Sequence, residues 1–265
     1  VFRQSMQSAI VSNAHRIVRG ERPDLTVRDN DFFFLPYQDS TEISSTIIDL
    51  CAQRLPRTYG YSPFQDIQVL CPGRKGKLGV IEMNQSLQEK INPPERMKKE
   101  ISIHGALLRE GDKVMQTKND YDIAWTREDS GTGTGVFNGD IGILEEIDRA
   151  AGYLTVRFED RLAVYNLESA ENLELAYAVT VHKSQGNEFP AVVMPMYPGP
   201  PQLYYRNLLY TAVTRAKALL VLVGRQGVVY QMVENNRKMR RYSGLKYFLT
   251  KDSGSGESPF GSCCI

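Results

Sequence analysis

Hydrophobic and polar positions change period several times along the chain, and each change marks an element. Near the start, Ile10, Ala14, Ile17 and Val18 fall at helical spacing within residues 7–19, and Gly20 follows as a C-cap. Residues 31–37, Asp-Phe-Phe-Phe-Leu-Pro-Tyr, read as a short strand ended by proline. Asp39 then offers an N-cap with Glu42 three residues on, and Ile43, Ile47, Leu50 and Cys51 form a stripe down to Pro56. Residues 65–70 read as the next strand and 80–91 as the next helix, with Val80, Met83, Leu87 and Ile91 inward. Strands alternating with helices predict a parallel sheet.

Between residues 108 and 166 the period drops to two. Residues 113–118, 141–147, 154–158 and 162–165 read as short strands, joined by turn signals at Gly111-Asp112, Asn138-Gly139-Asp140 and Glu159-Asp160. Leu154, Val156 and Phe158 alternate as in a half-buried antiparallel strand. Helix and strand alternate again afterwards, so a small β-barrel (108–168) is expected inside an α/β domain (1–107 and 169–250). Residues 126–135 read as a flexible exposed loop by composition, and Phe137 beside them as a core-filling aromatic.

The most informative stretch is 176–224. The apolar runs 173–181 and 189–194 read as buried strands flanking a polar turn, Thr-Val-His-Lys-Ser-Gln-Gly-Asn-Glu-Phe, at 180–189. Leu209, Ala212, Val213 and Ala216 recur as one helical stripe, and Arg215 falls about 100° of rotation from it, at the border of a cleft. Residues 218–224 then have the look of a central parallel strand, and 226–235 of a final helix. A basic cluster follows at 237–241, and 251–265 reads as a disordered tail.

Composition narrows the classes. With 265 residues, 42% hydrophobic and 24% charged, the chain suits a soluble protein of two compact domains. The formal net charge of +1 excludes a strongly basic body, so any nucleic-acid surface must be a local patch. No apolar run approaches the roughly 18 residues a membrane span needs, and the first residues do not form a signal peptide, which predicts a cytoplasmic protein without a membrane partner. Cys51, Cys71, Cys263 and Cys264 have neither zinc spacing nor disulfide density; the first two are expected to be buried thiols, and no metal site is expected. The Gly-x-x-x-x-Gly-Lys-Ser/Thr phosphate loop is absent. The loop 71–79, Cys-Pro-Gly-Arg-Lys-Gly-Lys-Leu-Gly, follows a strand and opens a helix, so its amides with Arg74 and Lys75 suit a phosphate of a nucleic-acid strand.

The turn at 180–189 resembles motif V of superfamily 1 helicases, and Tyr-Thr-Ala-Val-Thr-Arg-Ala-Lys at 210–217 resembles their motif VI. With Val-Phe-Arg-Gln at the start, the wording is most similar to the RecD-like branch of superfamily 1B, which takes in exodeoxyribonuclease V alpha and TraA, and the resemblance runs from residue 1 to 241. A chain that opens on Val inside a motif reads as a piece of something longer. The resemblance implies an α/β, RecA-like domain 2A with helices on both faces of its parallel sheet, interrupted by an SH3-like domain 2B. It implies the second half of an ATP-dependent, 5′ to 3′ DNA helicase of repair and recombination, with ATP and Mg2+ held mainly by domain 1A of the same parent chain. It makes Arg215 and Arg3 arginine fingers, a role suited to a planar, always ionised fork of donors. Gln4, Gln185, Gly186 and Glu188 would touch the nucleotide, and Thr180, His182, Lys183 and Ser184 the sugar-phosphate of single-stranded DNA. RecB- and RecC-like subunits would be further partners. Two alternatives stay open: a nucleic-acid-binding module without motor function, and a subunit of a nuclease complex whose metal chemistry lies in a partner. Without Walker motifs, this chain alone is expected neither to hydrolyse ATP nor to unwind DNA.

Overall fold

The computed structural model describes residues 8–26, 31–127, 129 and 131–236. Arg3, Gln4, the basic cluster, the tail and the last two cysteines lie outside the described residues.

Five strands form one wholly parallel sheet: β1 (Phe32–Pro36), β2 (Ile67–Cys71), β12 (Ala178–Thr180), β13 (Phe189–Met196) and β14 (Ala216–Gly224), in the order β1-β14-β13-β2-β12. Helices cover both faces, as the alternation predicts. On one face, α2 (Ser40–Asp49) and α4 (Val80–Ile91) bury Ile43, Ile47, Met83 and Leu87 against Ile67, Val69, Ala191, Val193 and Val221. A π-helical turn (Leu50–Arg54) and α3 (Leu55–Tyr59) continue α2 down to the next loop. On the other, α1 (Ala9–Arg19), α5 (Arg206–Val213) and α6 (Gln226–Glu234) bury Ile10, Ile17, Leu209, Val213 and Met232 against Leu70, Val192, Met194, Leu220 and Leu222. Odd and even strand positions therefore serve opposite cores, the period-two rule of a strand buried on both sides. Local signals hold where they were read: Gly20 ends α1, and the Asp39 carboxylate accepts from the Thr41 and Glu42 amides to start α2. Cys51 and Cys71 are buried, and burial pushes each thiol up to about 12.

Between α4 and β12 the chain builds two antiparallel units. A hairpin of β3 (Glu100–Ile103) and β4 (Ala106–Arg109) stands alone. The other unit joins β5 (Lys113–Gln116), β6 (Asp120–Arg127), β7 (Thr132–Val136), β8 (Ile141–Asp148), β9 (Tyr153–Phe158), β10 (Arg161–Asn166) and β11 (Leu173–Leu175) in the order β11-β5-β8-β9-β10-β6-β7. Its outer strands β11 and β7 do not pair, so this sheet curls without closing into a barrel. Its core, around Leu144, Leu154, Val156, Phe158 and Tyr165, is continuous with the α2/α4 core of the parallel sheet.

Four expectations need correction. The loop expected at 126–135 is largely a hairpin, β6 pairing β7 with Trp125 opposite Gly133. Glycine is required there, because a Cβ would come within 2.4 Å of the indole. Phe137 does not fill the core; it is 43% exposed and packs edge-on to the still more exposed ring of Tyr121. The apolar run 173–181 is two strands in different sheets, β11 on β5 and β12 on β2. Helix α5 stops at Val213, so Arg215 sits in a turn and Ala216 already pairs with Phe189.

The break between β11 and β12 is fixed by buried polar groups. Gln68 donates to the Ala176 and Tyr177 carbonyls, Asn84 to those of Leu175 and Ala178, and the Tyr177 hydroxyl to Asp112. Asp112 is fully buried and also accepts from Gln88, Asn92 and the Arg109 amide. Asn84, Asp112 and Tyr177 are fully engaged in this way, while the Gln68 Oε1 is buried without a partner; hydrogen-bonded buried polar groups of this kind specify one geometry. No helix among the described residues is long and apolar enough to cross a membrane.

Candidate functional site

Two edges of the parallel sheet carry the residues of interest. At the carboxyl edge, three loops leave neighbouring strands: 72–79 after β2, the turn 181–188 after β12, and 197–205 after β13. At the amino edge lie the entries to β13 and β14. The turn 181–188 joins the two edges. Thr180 pairs with Cys71, whereas Ala191 pairs with Ile67, so between these residues the chain travels back along the sheet by four strand positions, roughly 13 Å at the usual strand rise.

The candidates for DNA contact gather at the carboxyl edge. Thr180, half-buried, accepts from the Lys183 amide at 3.3 Å, which tightens the turn. His182 is exposed, its Nε2 3.0 Å from the Tyr205 hydroxyl. The Lys183 ammonium is 3.0 Å from Glu174, and the Arg74 guanidinium meets both oxygens of that carboxylate at 3.2 and 3.1 Å. Burial works against ionising Glu174, yet the hydrogen bonds from Arg74 and Lys183 outweigh it and hold the carboxyl below the usual range. Lys75 is exposed in the same loop. Ser184 is not brought to this surface: it is fully buried and its hydroxyl donates to the Val181 carbonyl at 2.8 Å, anchoring the turn from inside.

The candidates for nucleotide contact gather at the amino edge. Gln185, Gly186 and Glu188 are exposed, and Gly186 holds a left-handed φ of 97° that favours glycine. Glu188 lies 3.9 Å from the Lys217 ammonium. Arg215, half-buried, donates from Nη1 to the Asn187 carbonyl at 2.9 Å, while its Nε is buried without a partner. Among the described residues no carboxylate pairs with it. Its charge is thus held in place, neither sealed in the interior nor neutralised. A cleft of ≈ 750 Å³ opens here between Gly186, Glu188 and Lys217 on one side and Asp140, Arg157 and Arg161 of the antiparallel sheet on the other.

An arrangement of this kind favours an anion at either edge. An uncompensated guanidinium beside an open glycine turn suits a phosphate. Among the described residues no group of three His, Cys, Asp or Glu side chains stands together as a metal cage.

Known proteins match the same segments. A family model described as an ATP-dependent RecD-like DNA helicase SH3 domain matches residues 83–158, and one described as a UvrD-like helicase C-terminal domain matches 175–223. The ATP-dependent RecD2 DNA helicase of Deinococcus radiodurans is 33% identical over 220 residues, which are 82% of this chain and 27% of that protein. The chain belongs to the RecD-like helicase family. The RecBCD enzyme subunit RecD of Mycobacterium tuberculosis is 31% identical over 194 residues, 71% of this chain and 29% of the relative. The chain therefore spans less than a third of the length of these RecD-like relatives. The crystal structure of Pif1 helicase from Bacteroides in complex with ADP-AlF3 and ssDNA superposes loosely, with a TM-score of 0.45 and 18% identity over 96% of this chain and 56% of that one. The UvrD-like match takes in Thr180, His182, Gly186, Glu188 and Arg215 together.

Several residues of the site were not legible in the sequence. Glu174 sat within an apolar run and Tyr205 outside both motifs, while Asn187 and Lys217 fall inside the two motifs without a role of their own there. Only the alternation Leu-Glu-Leu at 173–175 hinted that Glu174 points outward.

Proposed function

We propose that this chain is the second motor half of a RecD-like ATP-dependent DNA helicase, with domain 2A at 1–107 and 169–250 and domain 2B at 108–168. The parent enzyme moves 5′ to 3′ along single-stranded DNA in repair and recombination, in the cytoplasm. Domain 1A of the same parent chain holds ATP and Mg2+; Arg215, with Arg3 from the opposite side, supplies positive charge to the γ-phosphate, and Gln4, Gln185, Gly186 and Glu188 contact the nucleotide. Thr180, His182, Lys183, Arg74 and Lys75 hold the strand by its backbone, which a motor indifferent to sequence requires. Ser184 serves by shaping the turn. RecB- or RecC-like subunits are partners in those relatives named as RecBCD subunits.

One observation carries this reading: the turn 181–188 reaches from the carboxyl edge, beside Arg74 and Tyr205, to the amino edge, beside Arg215. A single segment with one end at each edge is the physical means by which closing on a nucleotide can shift the grip on a strand. The residues present fit a polyphosphate at the amino edge, given a half-buried Arg215 without a carboxylate partner among the described residues beside the open turn at Gly186, and do not by themselves fit a Mg2+ cage. When bound, ATP supplies the free energy and the reacting phosphoryl group; this chain orients it and stabilises charge.

The test is hydrolysis by this chain alone and by the parent, each with and without single-stranded DNA. Background activity in the chain and DNA-stimulated activity in the parent are expected. Turnover by the chain alone overturns the division of the ATP site between domains.

A further inference from the structure

The strands β2 and β13 are neighbours, yet the helix that follows β2, α4, packs on one face of the sheet, and the helix that follows β13, α5, packs on the other. In an open α/β sheet this reversal leaves a crevice at the carboxyl ends of the two strands, the place where such folds seat ligands. Here the crevice is a cleft of ≈ 540 Å³, bounded by the loop 72–79 and the loop 197–204. Its wall is apolar and aromatic, from Pro72, Tyr197, Leu203 and Tyr204 among others. Its rim carries Arg74, Lys75 and Lys77, and among the described residues no carboxylate lines it. The ring of Tyr204 comes so close to Gly199 that a Cβ there would lie within 2.4 Å of it, so the ring packs against this glycine as part of the wall.

An apolar, ring-lined slot under three cations matches one kind of occupant, a flat apolar group joined to a phosphate. We infer that this cleft seats one nucleobase of a bound single strand, stacked against Tyr197 or Tyr204, with the adjoining phosphates on Arg74, Lys75 and Lys77. The inference rests on the reading that the loop 72–79 faces DNA and adds to it a base-holding subsite, so that the strand is gripped by a base as well as by its backbone. A base held this way is read by its π-face, and sequence indifference is preserved.

The test compares a short thymidine oligonucleotide with an abasic strand of the same length, bound by this chain at fixed salt. The thymidine strand is expected to bind at least about fivefold tighter, the lower end of what one base on an aromatic ring contributes. Leu203→Trp, which fills the cleft, is expected to abolish that difference and leave the abasic strand unaffected, whereas Lys75→Ala weakens both. Independently of any variant, a strand carrying 5-iodouracil is expected to photocrosslink to Tyr197 or Tyr204. Equal binding of the two strands, a base preference that survives in Leu203→Trp, or crosslinks confined to other residues overturns the subsite while Lys75→Ala still reports on the backbone contact. Failure to bind either strand overturns both readings together.

Discussion

The guanidinium of Arg74 grips the carboxylate of Glu174 through both oxygens, across a gap of a hundred residues in sequence. Because Lys183 ends on the same carboxylate, one acid occupies two cations proposed to hold a DNA backbone. A phosphate must compete with Glu174 for both. Glu174→Gln is therefore expected to raise affinity for single-stranded DNA by about three- to tenfold at low salt. It should also steepen the dependence of log K on log salt by about one phosphate contact. Titrations at several salt concentrations check this, and an unchanged or weakened affinity would show that Glu174 does not restrain these cations.

Lys113 presents a charge where water does not reach. It is 1% exposed, its ammonium donating to the Ile67 carbonyl at 3.0 Å and lying 6.0 Å from the Phe189 ring. Burial lowers it to about 8, against the opposing pull of Cys51 and Asp66. The unfolded chain keeps this proton up to about pH 10.4. Between those two values the unfolded state binds more protons than the folded one, so the Lys113 contribution to stability improves as pH rises. Urea unfolding of wild type and Lys113→Met at about pH 7.5 and about pH 10 should show the wild type gaining on the variant by up to about 3 kcal/mol. Parallel profiles would mean that the ammonium is solvated after all.

The hairpin of β6 and β7 depends on an absent side chain. Gly133→Val puts branched carbon into the Trp125 indole and should destabilise the chain by about 1–3 kcal/mol, with loss concentrated in the antiparallel sheet. Hydrogen exchange of the amides of β6 and β7 locates the effect; unchanged protection there would contradict the packing described.

What the sequence conveyed and what it hid follow one physical divide. Local signals were enough for α4, whose bounds at Val80 and Ile91 follow from the stripe Val80, Met83, Leu87, and for α1, where Gly20 ends the helix. They failed where a distant partner decides. Ala216 fits the helical stripe of α5 as well as the first position of β14, and only its pairing with Phe189 makes it a strand residue, which moves Arg215 from a helix edge into a turn. Leu173 and Val179 look alike in one apolar run until Gln68, Asn84 and Asp112 fix the crossing between two sheets. The glycines at 131–135 read as a loop because the ring that covers Gly133 lies eight residues away, across a strand pair. The motif residues of the site were legible as types in order; their division between two edges of the sheet required the register of β12 and β13 against β2.

The central claim is that Arg215 delivers its charge to a phosphate held by another domain. Single-turnover ATP hydrolysis by the full-length parent carrying Arg215→Ala, with single-stranded DNA saturating, tests it most directly. The account predicts a rate lowered by about a thousandfold or more, with DNA affinity in the absence of nucleotide within about twofold of wild type. Hydrolysis at the wild-type rate in that variant would contradict it.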